Sequence, residues 1–257
     1  MTETKVEREK IAELFKSRML ILYSHQSGLT SAAALKIQKH LFKLQLAIYR
    51  LDEYGESTWD TSSTTLIGLW RDIFDAMKPL KSKVSSKKLL QPMLQYQNIE
   101  LATRRGISLV SRSIFSFYLK KSCDVRLSRT IIDCHAKRPI SFALRRLWRT
   151  YDLVSEIYDD LCDIAEDRDT FNGNRFIVTA NSRGIRFAVR SYSSFCRKQL
   201  RKTRRHFQRI GSKEHSSAEA VFQITEKLTD CILQTLERLA IEYPIVPKSV
   251  GSSVRAA

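Results

Sequence analysis

Chain breakers are so few that they decide the fold class. The 257 residues contain eight glycines and five prolines. A β-sandwich or barrel needs a turn roughly every 8–12 residues, most of them marked by glycine, proline or asparagine. Here long unbroken stretches show apolar residues at spacings of three and four, the repeat of an amphipathic helix. The chain reads as all-α, a bundle of about seven to eight amphipathic helices, and it is long enough for a sizeable core.

The first helix is expected over Thr4 to Tyr23, with a break at Ser24–Gly28. Thr30 or Ser31 caps the second, whose stripe is Ala34, Ile37, Leu41, Leu44, Ile48 and Leu51 and which Gly55 is placed to stop. The third turns Leu66, Leu69, Ile73 and Met77 inward and ends at Pro79. These three form an N-terminal segment, 1–80. Lys81 to Lys88 read KSKVSSKK, so 81–91 is a basic linker. Residues 92–245 then form a basic bundle. Its helices are expected over Pro92–Lys120, Val125–Cys134, Ile140–Asp167 and Gly184–Ile210, with the eighth capped by Ser216 or Ser217 and carrying Val221, Ile224, Leu228, Cys231 and Leu239 inward. Asn172-Gly173-Asn174 marks Asp169–Ser182 as an exposed loop. Residues 246–257 read as a disordered tail.

Charge narrows the function. Lys and Arg number 44 against 27 Asp and Glu, a net +17. A compact chain repels itself at that charge unless a polyanion compensates. Nucleic acid, an anionic membrane surface or a very acidic protein would serve. No run of eighteen apolar residues is present, so no transmembrane segment is expected, and the first thirty residues lack the apolar run of a signal peptide. Five scattered cysteines, Cys123, Cys134, Cys162, Cys196 and Cys231, form no CxxC pair. They suit a reducing compartment better than a disulfide framework.

The seventh helix is the strongest candidate site. Its apolar stripe is Ile185, Val189, Tyr192, Cys196, Leu200, Thr203, Phe207 and Ile210. The rest of its surface carries Arg186, Arg190, Arg197, Lys198, Arg201, Lys202, Arg204, Arg205 and Arg209, and no acidic residue occurs from Arg175 to Lys213. Cations fixed at helical spacing track a phosphate backbone and release its counterions, and arginine grips phosphates bidentately. A second block centres on Arg145, Arg146 and Arg149. Phe115, Phe117, Tyr118, Phe142, Trp148 and Tyr151 are interleaved with it, either as base-stacking platforms or, residue by residue, as core.

Asp152, Glu156, Asp159, Asp163 and Glu166 form an acidic stripe between the blocks. It is expected to dock against the basic seventh helix or to meet a basic partner. The stripe lacks the Glu-x-x-His companion of a carboxylate metal site. His25, His40, His135, His206 and His215 do not combine with the cysteines at zinc-ligand spacing, and no GxSxG, Walker, HExxH, GxGxxG or kinase signature occurs. Neither a metal nor a cofactor is expected, and the chain reads as non-catalytic.

Leu22-Tyr23-Ser24-His25-Gln26 with the basic amphipathic run Lys36–Arg50, and Leu144-Arg145-Arg146-Leu147-Trp148-Arg149-Thr150-Tyr151 continuing through Ile157-Tyr158 to Leu161, carry a family likeness. Together they resemble the nucleolus and neural progenitor protein family, which is related to a protein subunit of the RNase MRP ribonucleoprotein. The resemblance covers about a third of the chain. It implies a helical, nucleolar, RNA-associated protein acting in ribosomal or transfer RNA processing. With the charge, it makes the expected partner RNA rather than DNA, alongside other protein subunits, in the nucleus or nucleolus. The alternatives are a viral matrix- or nucleoprotein-like protein binding RNA and, peripherally, anionic membrane, and a helical protein–protein adaptor.

Overall fold

Buried charge, as much as apolar periodicity, shapes the observed helices. The structure is a computed structural model that describes residues 4–57, 63–80, 85–104, 107–136, 138, 140–167 and 173–242. Among them are twelve α-helices and no strand. The helices are α1 Lys5–Ser17, α2 Leu20–Gln26, α3 Ser31–Ser57, α4 Ser63–Met77, α5 Ser86–Arg104, α6 Ile114–Lys121, α7 Cys123–His135, α8 Phe142–Cys162, α9 Ile164–Asp167, α10 Arg175–Arg183, α11 Ile185–Phe207 and α12 Ser212–Glu242. Two short 3-10 turns, Lys78–Leu80 and Leu109–Ser111, complete the set. The all-α reading holds. The count exceeds seven to eight because three expected helices are divided and one expected loop is helical.

The first division falls at Met19, which adopts a left-handed conformation (φ 53°) with no glycine to signal it. The break accompanies the burial of Arg18, whose Nη2 lies 2.7 Å from Glu156 and 2.6 Å from Asp159 on α8. The fourth expected helix becomes α5 and α6, with the 3-10 turn capped by Ser108 between them. Its start is corrected as well: Pro92 lies inside α5, which already begins at Ser86. The sixth divides at Asp163, the C-cap of α8.

The expected loop before the seventh helix is corrected to α10. Asn174 is its N-cap, accepting from the amides of Phe176 and Ile177 while its own Nδ2 donates to the Asp160 carbonyl. Phe176, Ile177 and Ala180 are core residues. The asparagine read as a turn signal is therefore a helix cap, which the same side chain serves equally well. Gly55 does not stop α3, which continues to Ser57. Asp169–Asn172, Lys81–Val84 of the expected linker and the 246–257 tail lie outside the described residues. Ser86–Gln91 of that linker is helical.

Two clusters make the core, and α8 runs through both. The first joins α1–α4 to α7 and the first half of α8, with Ile11 and Phe15 packed in the same cluster as Leu147 and Trp148. The second joins the rest of α8, through Leu153, Val154, Ile157 and Leu161, to α6, α10, α11 and α12. The first cluster therefore crosses the boundary expected near residue 81.

Helix α12 shows a register that apolar counting misplaces. Val221 is buried as expected, but Thr225, Thr229, Ile232 and Leu236 follow it, whereas Cys231 is exposed and Ile224, Leu228 and Leu239 are half-buried. The threonines tolerate burial because each hydroxyl donates to the carbonyl four residues back, Val221 and Thr225, both at 2.7 Å.

Candidate nucleic-acid interface

Helix α11 is set by a glycine that only a glycine can replace without strain. Gly184 (φ 85°) ends α10 and starts α11 in one residue. The buried line of α11 is Ile185, Ala188, Tyr192, Cys196, Gln199 and Thr203, spaced three and four apart. Helix α12 folds back along it, fastened by Phe207 stacked on Phe222 with centroids 5.0 Å apart. Burial pushes the Cys196 thiol up to about 12, so it is an inert core group.

All nine predicted cations of α11 are exposed: Arg186, Arg190, Arg197, Lys198, Arg201, Lys202, Arg204, Arg205 and Arg209. Arg204 reaches Glu226 on α12 at 2.7 Å. No carboxylate among the described residues pairs with the other eight. From Arg186 to Arg209 the helix and its C-terminal turn present cations over roughly 35 Å at ~1.5 Å per residue.

The acidic stripe does not neutralise them, which corrects the expected docking onto this helix. Asp152, Glu156 and Asp159 of the stripe, with Asp160 beside them, are held by cations outside α11, whereas Asp163 and Glu166 are exposed. Asp152 takes a bidentate pair from Arg129 of α7 (2.9 and 2.7 Å), Glu156 and Asp159 hold Arg18, and Asp160 holds Lys121 and accepts from the Tyr118 hydroxyl at 2.5 Å. Burial outweighs Arg18 at Glu156 and lifts its carboxyl to about 7. Asp152, Glu156 and Asp160 are thus consumed inside the fold.

The second basic block comes to the same surface. Arg145, Arg146 and Arg149 are exposed on the first turns of α8, a helix start fixed by the Ser141 cap on the Leu144 amide and by Glu214 of α12, which accepts from the Ser141 amide. Arg146 Nη1 donates to His206 Nε2 at 3.4 Å, so two blocks sixty residues apart in sequence touch. Burial, then Arg146, Arg209 and Lys202, hold the His206 imidazole below its ordinary range. Arg149 is likewise lowered by burial and by Arg126 and Arg146. Arg145 is partly neutralised by Asp133 at 3.3 Å.

The interleaved aromatics divide cleanly. Phe117, Tyr118, Trp148 and Tyr151 are core and cannot stack on a base. Phe142 and Phe115 are exposed, at 68% and 37%, and each carries a guanidinium on its ring: Arg146 at 4.5 Å and Arg149 at 5.1 Å. Phe187 and Arg183 repeat the arrangement at 5.2 Å. Sequence reasoning passed over Arg183 and Phe187. The i, i+4 spacing of Phe142 and Arg146 on α8 was available as a signal, whereas the Arg183–Phe187 contact spans the break at Gly184.

Among the described residues, no three His, Cys, Asp or Glu side chains gather to hold a metal ion, and no helix is long and apolar enough to cross a membrane. No protein-family model matches the chain, and no curated protein or solved structure matches it significantly.

Proposed function

We propose that the chain is a non-catalytic RNA-binding protein, a subunit of a nuclear or nucleolar ribonucleoprotein concerned with RNA processing. One observation carries the reading: eight of the nine exposed cations of the α11 segment have no carboxylate partner among the described residues, while Asp152, Glu156 and Asp160 of α8 are paired in the interior with other cations. A helix that keeps so many like charges together gains from phosphate, because each contact releases condensed counterions. The exposed Phe142, Phe115 and Phe187, each beside a guanidinium, favour RNA, whose unpaired bases stack on such pairs. The likeness to the nucleolus and neural progenitor protein family supports the nucleolar assignment.

The test is a titration of nucleic-acid-free protein with structured RNA, single-stranded RNA and duplex DNA across a salt series. Six phosphate contacts on a single strand give a slope of about −4 in log K against log salt. RNA-preferring binding with such a slope is expected. A slope near zero, or binding to anionic vesicles and not to RNA, overturns the reading.

A further inference from the structure

A cleft of about 270 Å³ opens between α7 and α8, beside the point where the two basic blocks meet. Arg126 and Arg129 of α7 and Arg145, Arg146 and Arg149 of α8 line it, with Phe142 among them. Only two carboxylates share this lining, Asp133 and Asp152, and both are engaged, by Arg145 at 3.3 Å and by Arg129 at 2.7 Å. Arg126 donates to the Leu119 carbonyl at 2.7 Å and meets no carboxylate. Arg146 and Arg149 rest on phenylalanine rings and meet none either. Three guanidinium groups therefore converge on one concave surface with no anion to balance them.

Arg129 supplies a second, independent sign. It is 5% exposed, its guanidinium lies against the rings of Trp148 (4.1 Å) and Tyr23 (4.7 Å), and its Nη1 is buried without an acceptor. A buried charged donor left unpaired is costly, and an oxygen brought to it relieves that cost. Phe142 adds a stacking surface, exposed and paired face-on with Arg146. Guanidinium and aromatic planes both accept an unpaired base.

We propose that this cleft seats one unpaired nucleotide of the bound RNA, its phosphate held among Arg126, Arg146 and Arg149 and its base stacked on the Phe142–Arg146 pair. This rests on the RNA-binding reading and divides the surface into two parts. The α11 cations lie along an exposed helix face and take any phosphate backbone. The cleft takes only a strand whose base has left the helical stack, because a duplex cannot bend its backbone into a concavity and keep its pairs. Preference for single-stranded elements therefore originates in α7 and α8.

Fluorescence anisotropy on a short oligoribonucleotide, single-stranded and as the matching duplex, tests this. Arg126→Gln and Phe142→Ala each remove a partly or fully exposed side chain that lies outside the core, so both variants retain the fold. Combined, they weaken single-strand binding on the order of tenfold, as loss of one stacked base does, and duplex binding by less than about twofold. An equal effect on both forms, or none, overturns the cleft while leaving the RNA reading intact. If wild-type protein binds neither form, the RNA reading falls instead. Inorganic pyrophosphate followed through the arginine side-chain NMR signals then judges the cleft by itself. Shifts at Arg126 and Arg149 that Arg126→Gln abolishes keep it as an anion site, and their absence ends it.

Discussion

Helices α8 and α11 pack against each other, both densely charged, and they use that charge in opposite ways. Three of the four acids of α8 point inward: Asp152, Glu156 and Asp160 are each buried against a cation from elsewhere in the fold. The cations of α11 point outward, and one of them, Arg204, finds an acid. Charge on α8 ties helices together; charge on α11 is, save for Arg204, without carboxylate partners among the described residues. A net charge of +17 conceals this division, because it sums charges with structural partners and charges without them.

Breaking α8 tests the structural half and gives the largest effect. Arg129→Ala strands Asp152 at 1% exposure, and loss of one partner of a buried pair costs about 3–5 kcal/mol. Urea denaturation should show that loss. A change below about 1 kcal/mol would mean that the pair is not what holds α7 to α8. Reversing α11 tests the other half. Arg197, Arg201 and Arg205 changed together to Glu should leave the denaturation midpoint in place or raise it, because like-charge repulsion is relieved. RNA affinity should fall on the order of 100-fold at ~0.15 M salt, and the salt slope should shrink by about 2. Loss of stability with no loss of binding would invert the comparison.

Arg204 is the residue where the two halves overlap. Its pair with Glu226 is largely exposed, so Arg204→Gln should cost no more than about 1 kcal/mol of stability. One lost phosphate contact should lower RNA affinity by roughly threefold.

The sequence made one half of this comparison legible and hid the other. Periodicity found α11 and its stripe, because Ile185, Tyr192, Cys196 and Thr203 recur at helical spacing and every cation falls outside that line. It could not find the partners of the α8 acids. Arg18, Lys121 and Arg129 look like three more surface cations until the fold brings them within reach of Glu156, Asp160 and Asp152, and nothing local marks them for burial. The break at Met19 was invisible for the same reason: no glycine announces it. In α12, Thr225 and Thr229 displaced Ile224 and Leu228 from the inner line because their hydroxyls are satisfied by their own helix, a balance that counting apolar residues ignores. The contact of Arg146 with His206 is likewise a product of packing.

That contact gives the smallest and most specific test. His206 sits among Arg146 of α8 and Lys202 and Arg209 of its own helical segment, and its folded-state pKa lies below 6.5 through burial and those charges. The unfolded chain takes up the proton more readily. The stability contribution of neutral His206 is therefore present in full above pH 6.5 and is lost as pH falls through the depressed folded value. Arg146 also donates to Nε2, which a protonated imidazole cannot accept. Bound phosphates reverse the balance, since they neutralise the same cations and favour imidazolium. RNA affinity should then rise as pH falls below 6.5 while stability declines. Anisotropy and denaturation at about pH 7.5 and 5.5 read both trends, and His206→Gln should flatten both. Trends that run in the same direction would place the phosphates elsewhere than at the junction of α8 and α11.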